Sequence, residues 1–125
     1  MANLPKLVIN LWENREGPVV FTTVDENSTP NSVYVSCIRR ENESTFVIAD
    51  NYFEKTRVNI ENGKKSCILF ITKNRKSIQM KGIVERHSSG NVFNGMKKWL
   101  NPKYPGKAAV VFAVQEVYMG SEKLV

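Results

Sequence analysis

Six runs of β-branched and aromatic residues, each cut off by a short polar turn, constrain this chain more than any other feature. They fall at residues 19–24, 31–40, 45–49, 66–72, 77–85 and 107–118. Val, Ile, Thr, Phe and Tyr suit a pleated, half-buried surface. The connections at 25–30, 41–44 and 73–76 are rich in Asp, Asn, Ser and Pro or in charge. Such residues bond their own backbone or preset it for a turn. Strands that are mostly consecutive and hairpin-linked predict an antiparallel sheet. In this number, with few strictly polar faces, they close into a small barrel, which also removes exposed edges. The fold class is therefore mainly β, six-stranded and antiparallel. Within 31–40 the alternation puts Val33, Val35 and Cys37 on one face and Tyr34, Ser36 and Ile38 on the other.

Three short helices accompany the strands. Residues 4–14 carry Leu4, Leu7, Val8, Leu11 and Trp12 at helical spacing, and Gly17-Pro18 stops them. Residues 53–62 end at Asn62-Gly63, a common helix stop. A third helix starts from a Ser88 or Ser89 cap and runs to about Leu100. Its Val92, Phe93, Met96, Trp99 and Leu100 form one stripe, and Pro102 and Pro105 forbid its continuation. The helices are expected to cover the open ends of the barrel, with Trp12 and Trp99 as core anchors.

A length of 125 residues fits one domain over 1–125 with a real core. No apolar run reaches the roughly 20 residues that span a bilayer. The apolar N-terminus is broken by Pro5 and flanked by Glu13 and Glu16, unlike a signal peptide. The expectation is a cytoplasmic protein without membrane contact. Cys37 and Cys67 then read as buried thiols rather than a disulfide. Two Cys and one His are too few for a structural zinc site, and His87 reads as a loop residue.

The formal net charge is +6, and its placement is informative. Between Glu54 and Arg86 stand nine basic residues, Lys64 and Lys65 among them, against three acids, so the whole excess lies there. Part of it belongs to the solvated hairpin tip at 73–76 and the loop at 63–65.

The chemistry concentrates in residues 45–70, TFVIADNYFEKTRVNIENGKKSCILF. A strand runs into a turn, the turn into a helix, and a second strand follows. Asp50-Asn51 breaks the strand and can cap the helix. First-turn N–H groups lack internal partners and carry the positive end of the helix dipole, which favours an anion. Lys55 adds a charge, Thr56 a hydroxyl donor, and Arg57 a forked donor if it turns the same way. That suits a phosphate monoester, although a lone Lys-Thr pair equally describes a solvated surface helix.

The wider order of residues resembles the FMN-binding split-barrel family, which includes the pyridoxamine 5'-phosphate oxidases. The matching pieces are Phe46-Val47-Ile48-Ala49, Lys55-Thr56, Asn59-Ile60, Asn62-Gly63, the strand at 66–70 and Ile78-Gln79-Met80-Lys81-Gly82. The strand at 30–36 before them and the Lys103-Tyr104-Pro105 segment after them also match, so the resemblance covers residues 19–118. It implies a six-stranded split barrel and a homodimer with FMN in each interface cleft. It also implies a small-molecule or protein redox partner. Lys55 and Thr56 would hold the phosphate. Ile48, Ala49 and Asp50 would line the flavin through their backbone, and Tyr34, Val35, Ser36 and Cys37 would lie along the ring. Ser77 and Gln79 would reach the cleft by side chain. No catalytic residue is assigned.

Two departures narrow the expectation. Glu54 stands where the larger oxidases carry Arg before Lys, and the C-terminal Trp and Arg segment of those enzymes has no counterpart here. The pattern therefore points to cofactor binding, as an electron carrier or oxidoreductase, more than to pyridoxamine phosphate oxidation. Two alternatives stay open. A small basic barrel could bind single-stranded nucleic acid, but the basic turn at 73–76 has no aromatic beside it for base stacking. A split barrel could instead use a deazaflavin or haem.

Overall fold

The structure is a computed structural model that describes residues 3–63 and 65–125. Lys64, counted above in the basic loop, lies outside the described residues. In chain order the elements are α1 (Lys6–Glu13), β1 (Val19–Val24), β2 (Pro30–Val35), β3 (Ile38–Arg40), β4 (Thr45–Asp50) and α2 (Lys55–Asn62). Then come β5 (Lys65–Ile71), β6 (Ser77–His87), α3 (Asn91–Trp99), β7 (Ala108–Met119) and β8 (Glu122–Lys123).

One antiparallel sheet holds all the strands in the order β2-β1-β5-β6-β7-β4-β3, with β8 folded back on β7. The two edge strands are consecutive in the chain. Only Ser36 and Cys37 separate β2, which pairs with β1, from β3, which pairs with β4. Two residues reach only a few ångströms, so the sheet must curl until its edges meet. It is a barrel with a slit where β2 and β3 part.

That slit corrects the sequence reading of residues 31–40. They form two strands, not one, and β8 adds another, so the described residues form eight strands where six were expected. The break also shifts the alternation. Val35 and Tyr34 lie on opposite faces, as expected, with Val35 inward, but Ile38 is buried instead of sharing the outer face of Tyr34.

Within β4 every residue is buried, because both faces are covered. Phe46 and Ile48 join the barrel interior with Phe21, Ile68, Met80 and Phe112. Val47 and Ala49 face a second cluster with Met96, Leu100 and Ala109. So α3 lies over the outside of β4 and β7 rather than closing a barrel end. Its start also differs from expectation: Gly90, at φ 91°, precedes it, and no side chain caps it. The α1 helix does plug the interior. Trp12 meets Phe46 edge-on at 4.6 Å and Phe70 at 5.2 Å, with the Arg15 guanidinium 3.9 Å above its ring. Burial pulls the Arg15 pKa down, with Glu13 pushing it back. Trp99 is only partly buried, against the outer cluster.

The β6–β7 pairing slips one residue between Lys81 and Gly82. A side chain at Gly82 would bring its Cβ within 2.2 Å of the Ala113 carbonyl oxygen. The bulge therefore depends on glycine for close backbone approach. Cys37 and Cys67 are free thiols, each half-buried. His87 ends β6 instead of lying in a loop, and its Nε2 stands 3.0 Å from Glu85. Among the described residues no helix is long and apolar enough to cross a membrane.

Candidate functional site

The slit opens a cleft of about 330 Å³ between the end of β2 and the turn at 51–53. Its walls are Tyr34, Val35, Ser36 and Cys37 on one side, and Ala49, Asn51, Tyr52 and Phe53 on the other, with Tyr104 closing it. Tyr34 is 78% and Tyr52 70% exposed, a large aromatic surface left to solvent at one rim. Exposed rings gathered around a concave wall are more informative than exposed residues scattered singly.

A second, wider cavity of about 1060 Å³ shares Phe53 with the first. Lys55, Arg57, Asn31 and Lys107 line it, with Glu54 and Glu61 among its acids. Arg57 is neutralised by Glu61 at 2.9 Å, one helical turn on. The Lys55 and Lys107 ammonium groups are in no ion pair among the described residues. Lys107 was missed from sequence: it lies 52 positions after Lys55, and only the fold brings it there. Its own N–H bonds the Asp50 carbonyl at 2.8 Å, which fixes the start of β7 against the turn.

The turn between the cavities is tied down on several sides. Asp50 does not cap α2 as expected, since Glu54 occupies that place with no side-chain cap. One Asp50 carboxylate oxygen instead accepts the Phe53 N–H at 3.1 Å, and the other accepts Arg86 Nε at 3.0 Å. The Asn51 carboxamide accepts the Gly106 N–H at 3.0 Å. Below, α2 is seated on the sheet by two bonds. Asn31 Nδ2 donates to Thr56 Oγ1 at 3.1 Å, and Asn59 Nδ2 donates to Thr23 Oγ1 at 3.0 Å.

The sequence-derived residues therefore divide. Tyr34, Val35, Ser36, Cys37 and Ala49 line one cleft, and Lys55 stands in the cavity beside it. Thr56 is 2% exposed and lies beneath the helix, off both walls. Ile48 points into the barrel core. The Ala49 N–H is already donated to the Cys37 carbonyl at 2.9 Å. Asn51, Tyr52, Phe53 and Tyr104 were not singled out from sequence. Tyr52 and Phe53 carried a signal, as two aromatics in a turn that otherwise reads as polar.

Ser77 and Gln79 are elsewhere, on β6. Gln79 lines a groove of about 570 Å³ with Lys65, Cys67, Lys81 and Glu116. Directly across the ladder from them stand Ile71 and Leu69, which are 37% and 39% exposed. Burial pushes the Cys67 thiol up, and the Lys81 charge pulls it partly back. The Tyr118 hydroxyl, donating at 3.0 Å, holds the Glu116 carboxyl below its usual range, helped by Lys123 and opposed by desolvation.

Chemically, the arrangement offers an aromatic and aliphatic wall beside a cavity lined by Lys55, at the start of α2, and Lys107, just before β7. A family of sequences described as pyridoxamine 5'-phosphate oxidase matches residues 9–121 of the chain. Solved structures agree in fold. HupZ of Group A Streptococcus superposes with a TM-score of 0.81 at 24% identity, over 97% of this chain and 94% of that one. An FMN-binding protein from Syntrophomonas wolfei gives 0.78 at 21% identity, over 90% and 83%. An F420 reductase gives 0.70 at 13% identity, over 92% and 98%. No curated protein matches the sequence.

Proposed function

Because this chain belongs to the pyridoxamine 5'-phosphate oxidase family, we propose that it is a cytoplasmic redox flavoprotein that binds FMN in the slit of its barrel. The carrying observation is the adjacency of the two cavities. An aromatic-walled cleft meets a lysine-bearing cavity at one shared residue, Phe53. A planar ring joined to a phosphate by a short chain has these two needs. The residues fit the group: Tyr34, Tyr52 and Tyr104 supply stacking surface, and Lys55 with Lys107 supplies charge for the phosphate.

In this reading the segment from Tyr34 to Cys37, where β2 ends and the slit opens, lies along the ring and excludes water from one face. The first-turn N–H groups of α2 point at the phosphate, and Thr56 supports them from below through Asn31. Bound FMN would itself supply the hydride or electron chemistry. The protein contributes position and dryness, so neither an acid–base dyad nor a metal is required of it.

The reading extends to a homodimer. Ser77 and Gln79 stand among exposed Leu69 and Ile71, away from their own cleft. They therefore serve the cleft of a second copy, packed on the outer face of β5 and β6. A yellow protein that releases FMN on denaturation, and loses affinity on Lys55→Ala with Thr56→Ala, is the expected result. A colourless protein that takes up no added FMN would sink the proposal. An F420-type deazaflavin, titrated in parallel, is expected to bind more weakly than FMN.

A further inference from the structure

Among the ion pairs of the described residues, Arg86 with Asp50 is the one shut away from solvent. Its side chains are 14% and 1% exposed. A buried pair is weak evidence for stability, because apolar replacements of the same shape are often as good or better. What this pair holds is more telling.

Asp50 ends β4 and Arg86 lies near the end of β6, on either side of β7. Asp50 sits opposite Ala108 and Arg86 opposite Val110, so the guanidinium reaches diagonally across β7. Its Nε bonds one Asp50 oxygen at 3.0 Å. The other oxygen takes the Phe53 N–H at 3.1 Å. Phe53 is the residue that both cavities share. The remaining ties on the turn, from Gly106 and Lys107, come from the approach to β7. Among the hydrogen bonds of the described residues, Arg86 alone connects the turn to β6.

We infer that Arg86 is a positioning residue for the cofactor cleft. Acting through the Asp50 carboxylate, it sets the direction in which the chain leaves β4. That direction fixes where the aromatic wall stands relative to Lys55. The inference rests on the FMN reading for its purpose, but its geometry can be tested without flavin.

The test compares Arg86→Met, Arg86→Lys and the double variant Asp50→Asn with Arg86→Met. The readouts are FMN affinity, the visible band of bound FMN, and hydrogen exchange of the Phe53 amide in flavin-free protein. Arg86→Met leaves a buried carboxylate without its partner. FMN is expected to bind about tenfold more weakly, with a shifted visible band and faster Phe53 exchange. Arg86→Lys is expected to restore most of the affinity. In the double variant the Asn carbonyl still accepts the Phe53 N–H without an unpaired charge. Its exchange should be slower than in Arg86→Met, while its FMN affinity stays below wild type.

If Arg86→Met does not fold, the double variant carries the test. Wild-type affinity and wild-type Phe53 exchange in either folded variant would overturn the inference, as would a lysine that restores nothing. A wild-type protein that takes up no FMN refutes the functional reading instead, and the exchange data then decide the role of Arg86 on their own.

Discussion

The Asn31 carboxamide donates to the Thr56 hydroxyl at 3.1 Å, joining the β2 edge to the first turn of α2. The bond ties one wall of the barrel slit to the helix that carries Lys55. Buried under the helix, the Thr56 side chain fastens the first turn of α2 to β2.

Thr56→Val keeps the shape and removes the acceptor, leaving the Asn31 amide without this partner. A net loss of about 1 kcal/mol in unfolding free energy is expected, read from urea denaturation. FMN affinity should fall with it. A variant that is equally stable and binds FMN equally well would show that the bond fastens nothing.

Lys55 and Lys107 are exposed, so their replacement should spare stability. Lys55→Ala and Lys107→Ala are each expected to weaken FMN several-fold, roughly 1 kcal/mol apiece, and to leave riboflavin binding unchanged. Flavin fluorescence titration with both ligands separates the phosphate contribution from that of the ring. Equal losses for the two ligands would place the lysines away from the phosphate.

Gly82→Ala should be among the most damaging single changes outside the core. Its Cβ would stand 2.2 Å from the Ala113 carbonyl oxygen and 3.0 Å from the Phe112 ring. The obstacle is backbone, which cannot turn aside as a flexible side chain can. A loss of about 3 kcal/mol is expected, measured as a lowered denaturant midpoint.

Cys67 should make the protein lose stability at alkaline pH. Its pKa is raised in the fold, chiefly by burial. The folded state then keeps a proton that the unfolded chain has already released. The stabilisation is complete below the unfolded thiol pKa and is lost as pH rises through the raised folded value. Cys67→Ala should flatten this alkaline decline in a pH series of unfolding curves. Iodoacetamide should also alkylate Cys67 more slowly in the folded protein than in the unfolded chain.

Much of the fold was legible because its signals are local. The strand at Val19–Val24 appears with the bounds expected of it, and α2 ends at the expected Asn62-Gly63 stop. Residues Tyr34 to Cys37, along one cleft, and Lys55, in the cavity beside it, were also within reach. Their order along the chain carries the family pattern.

Other features depend on partners that periodicity does not name. The run from Asn31 to Arg40 has no breaker in it, and reads as one strand. It becomes two because β2 pairs with Val19–Val24 while β3 pairs with Phe46–Ile48, at opposite edges of a curled sheet. Lys107 and Arg86 reach the site from positions far along the chain, through ladder registers that no single strand encodes.

By itself, then, the sequence determined most of the strands, the three helices, and which turn bears the lysine. The physical reason is that β-branched runs, turn residues and helical stripes act over a few neighbours. Only the tertiary structure decided where the barrel parts, that Asp50 faces inward to Arg86 and Phe53, and that two cavities meet at one residue. Those outcomes follow from closure of the sheet, which sets long-range register and leaves a buried carboxylate to find its partners across β7.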